Sequence, residues 1–127
     1  MPPNDAITDP AVRKFQKELA AGTVALVLLA ILSQAEEPLY GYQIAKRLEA
    51  ADANRAGGKQ GAVYPVLRNM SAQGWLESWV EPSVSGPPRR YYRITPAGRG
   101  MLAQWRAAWQ DNTTFVNTVL QRGHSND

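Results

Sequence analysis

Between Leu19 and Leu32 the chain runs fourteen residues without a charge, interrupted only by Gly22 and Thr23. A helix that is apolar on every side must be enclosed, in a core or in a subunit interface. A bilayer span needs about 20 residues, so this run is a core helix around which the rest of the chain has to assemble. It does not read as a secretion signal either, because acids and bases precede it and no small-residue cleavage site follows. With 127 residues, 44% of them hydrophobic and 20% charged, the expectation is one globular domain with one core. There is no cysteine, which excludes disulfides, thiolate metal sites and thiol nucleophiles and suits a reducing cytoplasm.

Breakers and caps divide the chain around that run. Residues 1–8 are polar and proline-rich and read as a flexible tail. Asp9-Pro10 is an N-cap followed by a proline at the first helical position, opening a helix from Ala11 to about Gln34 with Gly22-Thr23 as a place to bend. Glu36-Glu37-Pro38 ends it, since a proline pushes its predecessor out of helical geometry. Gly41–Ala51 forms a second helix with Ile44, Ala45 and Leu48 on one face and Lys46 and Arg47 off it. A polar connection, Asp52–Lys59, leads to a third helix from about Gly61 to Gln73. There Val63, Val66, Leu67 and Met70 make an amphipathic stripe. Pro65 loosens its first turn and Gly74 caps its end.

Two strand-like runs follow, Trp75–Glu81 and Arg89–Thr95, joined by a Pro/Ser/Gly tip that predicts a β-hairpin. Thr95-Pro96 repeats the cap-and-proline signal and starts a last helix. In it Leu102, Trp105, Trp109, Asn112, Val116 and Val119 are spaced alternately three and four residues apart, a heptad seam with one polar member. Such a seam needs a partner to stay soluble. The fold expected is mainly α with a small β-hairpin: a winged helix-turn-helix domain over residues 9–95, a dimerisation helix over 96–120, and a second flexible tail over 121–127.

Charge points to the partner. From Tyr40 to Gly100 nine Lys/Arg face four acids, so the middle of the chain carries +5 and the flanks together −2. Ala53–Gly74 and Pro82–Gln110 contain no acid, which implies a polyanionic ligand. The third helix fits a major groove, with Tyr64, Arg68, Asn69 and Ala72 opposite its apolar stripe and Lys59 and Gln60 at its mouth. Arg and Lys can donate to guanine or phosphate, Asn and Gln can read adenine, and Tyr can donate to phosphate. Arg89 and Arg90 leave the wing tip toward a flanking groove or backbone. Of Tyr40 and Tyr42, one is expected to pack beneath the helix turn and the other to reach phosphate, with Lys46 nearby.

Four segments then carry a family likeness. Leu39-Tyr40-Gly41-Tyr42-Gln43-Ile44-Ala45 resembles the "LYGYEIA" signature of the PadR family of bacterial transcriptional regulators. Gly61-Ala62-Val63-Tyr64-Pro65-Val66-Leu67 is similar to its "GTLYPAL" recognition-helix motif. Gly86-Pro87-Pro88-Arg89-Arg90-Tyr91-Tyr92-Arg93-Ile94-Thr95 is similar to its wing motif "GPPRKYYRLT", and Leu19 with Gly22-Thr23 resembles its first helix. The resemblance covers roughly residues 17–120. It implies a homodimeric winged-helix repressor on a palindromic operator in double-stranded DNA, with the C-terminal helix as dimerisation arm and no cofactor. The short last helix resembles the small PadR subgroup. Trp109 stands where multidrug-responsive members carry a tryptophan that stacks on planar aromatic ligands, and Trp105 lies one turn earlier on the same face. Two departures touch the DNA face. Ala62 replaces the usual threonine and its hydroxyl, and Asn69-Met70-Ser71-Ala72-Gln73 replaces an "RRLEK"-like stretch.

Other classes compete less well. A winged helix used as a protein-interaction module tends to carry acids on its third helix, and a small-molecule carrier would rest on Trp105 and Trp109 alone. His124, the only histidine, sits in the polar tail. Glu36 and Glu37 are adjacent and do not converge on one point. No phosphate loop, nucleophile elbow or metal spacing occurs, which leaves enzyme the weakest class.

Overall fold

A computed structural model describes residues 9–51 and 63–125. Its elements are α1 (Pro10–Gln34), β1 (Leu39–Tyr40), α2 (Gly41–Ala51), α3 (Val63–Ala72), β2 (Leu76–Glu81), β3 (Arg89–Ile94) and α4 (Pro96–Ser125). The expected polar connection Asp52–Lys59, together with Gln60 and Ala62, lies outside the described residues.

Local chemistry sets the helix ends. The Asp9 carboxylate accepts from the Ala11 N–H at 2.8 Å with Pro10 in the first turn, as the cap signal requires. The helix then runs unbroken through Gly22-Thr23, the Thr23 hydroxyl donating to the Leu19 carbonyl at 3.0 Å. Gly74, at φ 83°, closes α3: Trp75 N donates to Met70 O and Gly74 N to Ser71 O, both at 3.0 Å. That pair of bonds around a left-handed glycine satisfies the last carbonyls of the helix.

Leu28 and Leu29 are both fully buried. Adjacent helical positions point about 100° apart, so burying both means that α1 is covered over a wide face at this level. It packs on α2, α3, α4 and β3. Leu32, Leu39, Ile44, Ala45, Val63, Leu67, Met70, Leu76, Tyr92, Ile94 and Leu102 complete the core among the described residues. Each large aliphatic side chain there contributes about 1.5–3 kcal/mol by leaving water. The helix is long and apolar enough to cross a membrane, with a mean hydropathy of 1.7. Only the stretch from Leu28 to Leu32 supplies buried side chains, and the first half leaves Val12, Phe15 and Leu19 exposed.

The wing has one strand more than the hairpin expected. β1 pairs antiparallel with β3 (Leu39 opposite Tyr92, Tyr40 opposite Tyr91), and β2 pairs with the other edge of β3, from Leu76–Ile94 to Glu81–Arg89. The order is β1-β3-β2. Leu39, Leu76, Tyr92 and Ile94 face the core, while Tyr40, Trp79 and Tyr91 share the opposite face by the same register.

α4 is longer than expected and less available. It reaches Ser125, past the boundary expected at residue 120, because Gly123 alone costs about 1 kcal/mol and does not stop a helix. Leu102, expected in the intersubunit seam, is 6% exposed in the core of its own protomer. Trp105 meets Trp75 edge-on at 5.1 Å. The stripe left uncovered begins at Trp109 and includes Val116 and Val119.

Candidate nucleic-acid interface

The recognition face is assembled around Tyr92. This ring is buried on the core side of β3, and its hydroxyl senses Arg90, Arg68 and Tyr64. Burial pushes the hydroxyl above its ordinary value, while Arg90 and then Arg68 pull it down. Arg68 on α3 and Arg90 on the wing thus both lie within electrostatic reach of a tyrosine that stays neutral at ordinary pH. Arg90 also donates to the Ser78 hydroxyl across the hairpin at 3.2 Å, which holds it on this side of the sheet. Among the described residues neither arginine is in an ion pair, so both charges remain available to an anion.

Tyr64 is held by α2. A Cβ added to Gly41 would meet Cε1 of the Tyr64 ring at 2.5 Å, so the ring sets its edge against the backbone at the start of the helix. The residue is 42% exposed. The start of α2 is itself tied down, the Tyr40 N–H donating to the Gln43 side chain at 3.1 Å in the manner of a capping box.

The remaining sequence-derived candidates divide. Tyr42 is 57% exposed, with the Lys46 ammonium 5.8 Å from its ring centre and also 3.6 Å from Glu49. Tyr40 is the packed member of that pair, edge-on to Tyr91 at 5.5 Å. Arg89 and Arg90 point to opposite faces of the sheet. Neighbours in a strand point to opposite faces, and Arg89 lies over the Tyr40 ring at 4.4 Å, away from Arg68. Asn69 stands beside Pro65 and Val66 at the edge of a groove shared with Val24, Met70, Trp75 and Trp105. Trp109 is 43% exposed. Asn112 is exposed beside it.

Sequence reasoning misses Gly41, Tyr92 and Trp79 as parts of this site. The alternation in the wing hints at two of them, by placing Trp79 and Tyr91 on one face and Ser78, Arg90 and Tyr92 on the other, and Gly41 stands in the motif Leu39–Ala45. Among the described residues no cluster of three or more metal-binding side chains occurs.

Three packed helices, the third bearing exposed basic and aromatic side chains, followed by a β-wing whose arginine joins them, define a winged helix-turn-helix protein. Residues 28–104, well over half of the chain, match the transcriptional regulator PadR-like family, and the chain belongs to that family. A PadR family transcriptional regulator from Eggerthella lenta DSM 2243 is 34% identical, with a TM-score of 0.72 over 87% of this chain and 92% of that one. A PadR-like transcriptional regulator from Bacillus cereus is 31% identical, with a TM-score of 0.65 over 82% of this chain and 97% of that one. A transcriptional regulator of Mycobacterium tuberculosis is 43% identical over 51 residues, 40% of this chain and 47% of that protein. The chain is a transcriptional regulator of the DNA-binding kind and not an enzyme.

Proposed function

We propose that the chain is a homodimeric, cytoplasmic repressor that grips an inverted repeat in duplex DNA and is released by a planar aromatic ligand. The observation that carries the DNA reading is the exposed face of α3, with Tyr64 and Arg68, beside a wing whose Arg90 is also exposed; among the described residues neither arginine is in an ion pair. No acid lies between Ala53 and Gly74 or between Pro82 and Gln110. α3 enters the major groove with Arg68 and Tyr64, and Arg90 takes the flanking backbone. Lys59, Gln60 and Ala62 come just before α3 in the sequence and are proposed as further DNA contacts.

Twofold pairing follows from unburied apolar surface. Trp109, Val116 and Val119 on α4 are exposed, as are Val12, Phe15 and Leu19 on the first half of α1. Two helices with such stripes bury them best against a second copy. The pair then sets its two α3 helices about 34 Å apart, one duplex turn. Trp109 is the better ligand platform, since Trp105 already spends an edge on Trp75.

The test is a salt titration of binding to a duplex carrying the inverted repeat upstream of the protein's own gene. With six to ten phosphates contacted, affinity is expected to fall about 10³–10⁵-fold between 50 and 200 mM salt; a flat titration would remove the DNA reading. A planar aromatic dye that quenches tryptophan must bind more weakly when operator is present, by the same factor by which it loosens operator.

Gly41→Ala separates stability from function. The added methyl displaces the Tyr64 ring, a side chain free to swing, so stability is expected to stay within about 1 kcal/mol. Operator affinity is expected to drop roughly tenfold as each protomer loses a positioned hydroxyl. Thermal melting and fluorescence anisotropy on the same sample check both; unchanged affinity would remove Tyr64 from the interface.

A further inference from the structure

The outer face of the wing carries a continuous row of side chains that reaches neither the core nor the Arg68–Arg90 side. Trp79 on β2 stacks on Tyr91 of β3 at 6.3 Å and 16° between planes. Tyr91 meets Tyr40 of β1 edge-on at 5.5 Å. An arginine closes each end: Arg93 lies 5.2 Å from the Trp79 ring and Arg89 lies 4.4 Å from the Tyr40 ring. Trp79 is pinned further by its Nε1–H, which donates to Glu81 at 2.8 Å, and Arg93 by a 2.7 Å bond to Glu77. All three rings are partly buried, although they face away from the core, because they cover one another.

The row spans all three strands at right angles to them. Backbone pairing alone holds β1 weakly, since it is two residues long and a two-stranded hairpin is marginal by itself. The row adds side-chain packing where the ladder is shortest. Its far end, Tyr40, is the residue that the Gln43 side chain caps at the start of α2. The next residue, Gly41, is the seat of Tyr64 on α3. A chain of direct contacts therefore runs from Trp79 on the wing to the recognition helix.

We propose that Trp79 is a positioning residue for DNA binding: through Tyr91 and Tyr40 it sets the pitch of the wing against α3, so that Arg90 and Arg68 meet the duplex together. This rests on the DNA reading above. Trp79 sits on the face opposite Arg90 and does not touch the duplex itself. Without its ring the hairpin keeps its backbone pairing and its core-side packing, but the wing pivots about β3 and Arg90 loses its place.

A double-mutant cycle at Trp79 and Arg90 tests this. Trp79→Leu keeps apolar bulk in the strand and removes the ring. It is expected to weaken operator binding at least about tenfold, the effect of taking one charge-assisted bond to the duplex from each protomer. It is also expected to reduce the salt slope by about two, as Arg90→Ala does. The double variant should lose clearly less affinity than the two single losses combined, because the ring acts in large part through that arginine. Trp79→Phe should restore near wild-type binding, while circular dichroism shows all four proteins folded. Additive losses, or wild-type affinity in Trp79→Leu with only a lowered melting temperature, overturn the brace and leave the regulator intact. A wild-type protein that ignores the duplex overturns both.

Discussion

Gly98→Ala lowers the unfolding free energy by about 3 kcal/mol, whereas Gly100→Ala, two residues along the same helix, raises it by about 0.5–1 kcal/mol. Both glycines lie in the first turns of α4, and both substitutions lower the entropy of the unfolded chain equally. The difference is the space each Cβ meets. At Gly98 it runs into the backbone carbonyl of Trp75 and comes within 2.8 Å of Ile94 Cγ1; at Gly100 nothing lies within 4 Å. A clash with backbone cannot be relieved by a rotamer change, so α4 must lift from the end of α3.

That junction can ill spare a shift. Thr95 caps α4 by accepting from the Gly98 N–H at 3.0 Å, donates its hydroxyl to Gly74 O at 2.7 Å, and bonds Trp75 O through its own N–H at 3.1 Å. One residue thus ties the end of the recognition helix to the start of the last helix. Thermal melts at equal protein concentration check the prediction, since a dimer's midpoint depends on concentration. A destabilised Gly100→Ala, or an unperturbed Gly98→Ala, would show that α4 starts elsewhere.

How much of the molecule is legible in the chain differs by element. Both ends of α1 and the start of α2 follow from local signals: Asp9-Pro10, the Glu36-Glu37-Pro38 stop and Gly41. The wing strands are placed within a residue at each end because turn residues bracket them. β1 is invisible for the opposite reason. Leu39-Tyr40 is too short to show alternation, and only pairing with β3, far along the chain, makes it a strand. The heptad pattern of α4 is real, but a period cannot say whose surface covers it. Leu102 is covered by its own protomer, while Trp109 is not. Arg89 and Arg90 look like a pair through their adjacency, although adjacency in a strand separates side chains. Their division between the Tyr40 ring and the Arg68 side is the period-two rule applied one step further.

The same division decides where the largest functional loss should fall. Arg68→Ala is expected to weaken operator binding about 10²–10⁴-fold, since a hydrogen bond to a charged group contributes about 1.5–3 kcal/mol and a twofold complex loses two. The salt slope should fall by about two. Stability should stay within about 0.5 kcal/mol, because the side chain is exposed and, among the described residues, in no ion pair. Arg89→Ala, by contrast, removes a cation seated on Tyr40 and should cost far less affinity. Arg68→Lys then separates two roles. If the guanidinium serves phosphate as a charge, lysine restores most of the binding. If it forks onto guanine, lysine keeps affinity for random duplex and loses preference for the operator, since the ammonium lacks the planar pair of donors. Equal operator affinity in Arg68→Ala and the wild type, with the dimer intact, would move the interface off α3 altogether.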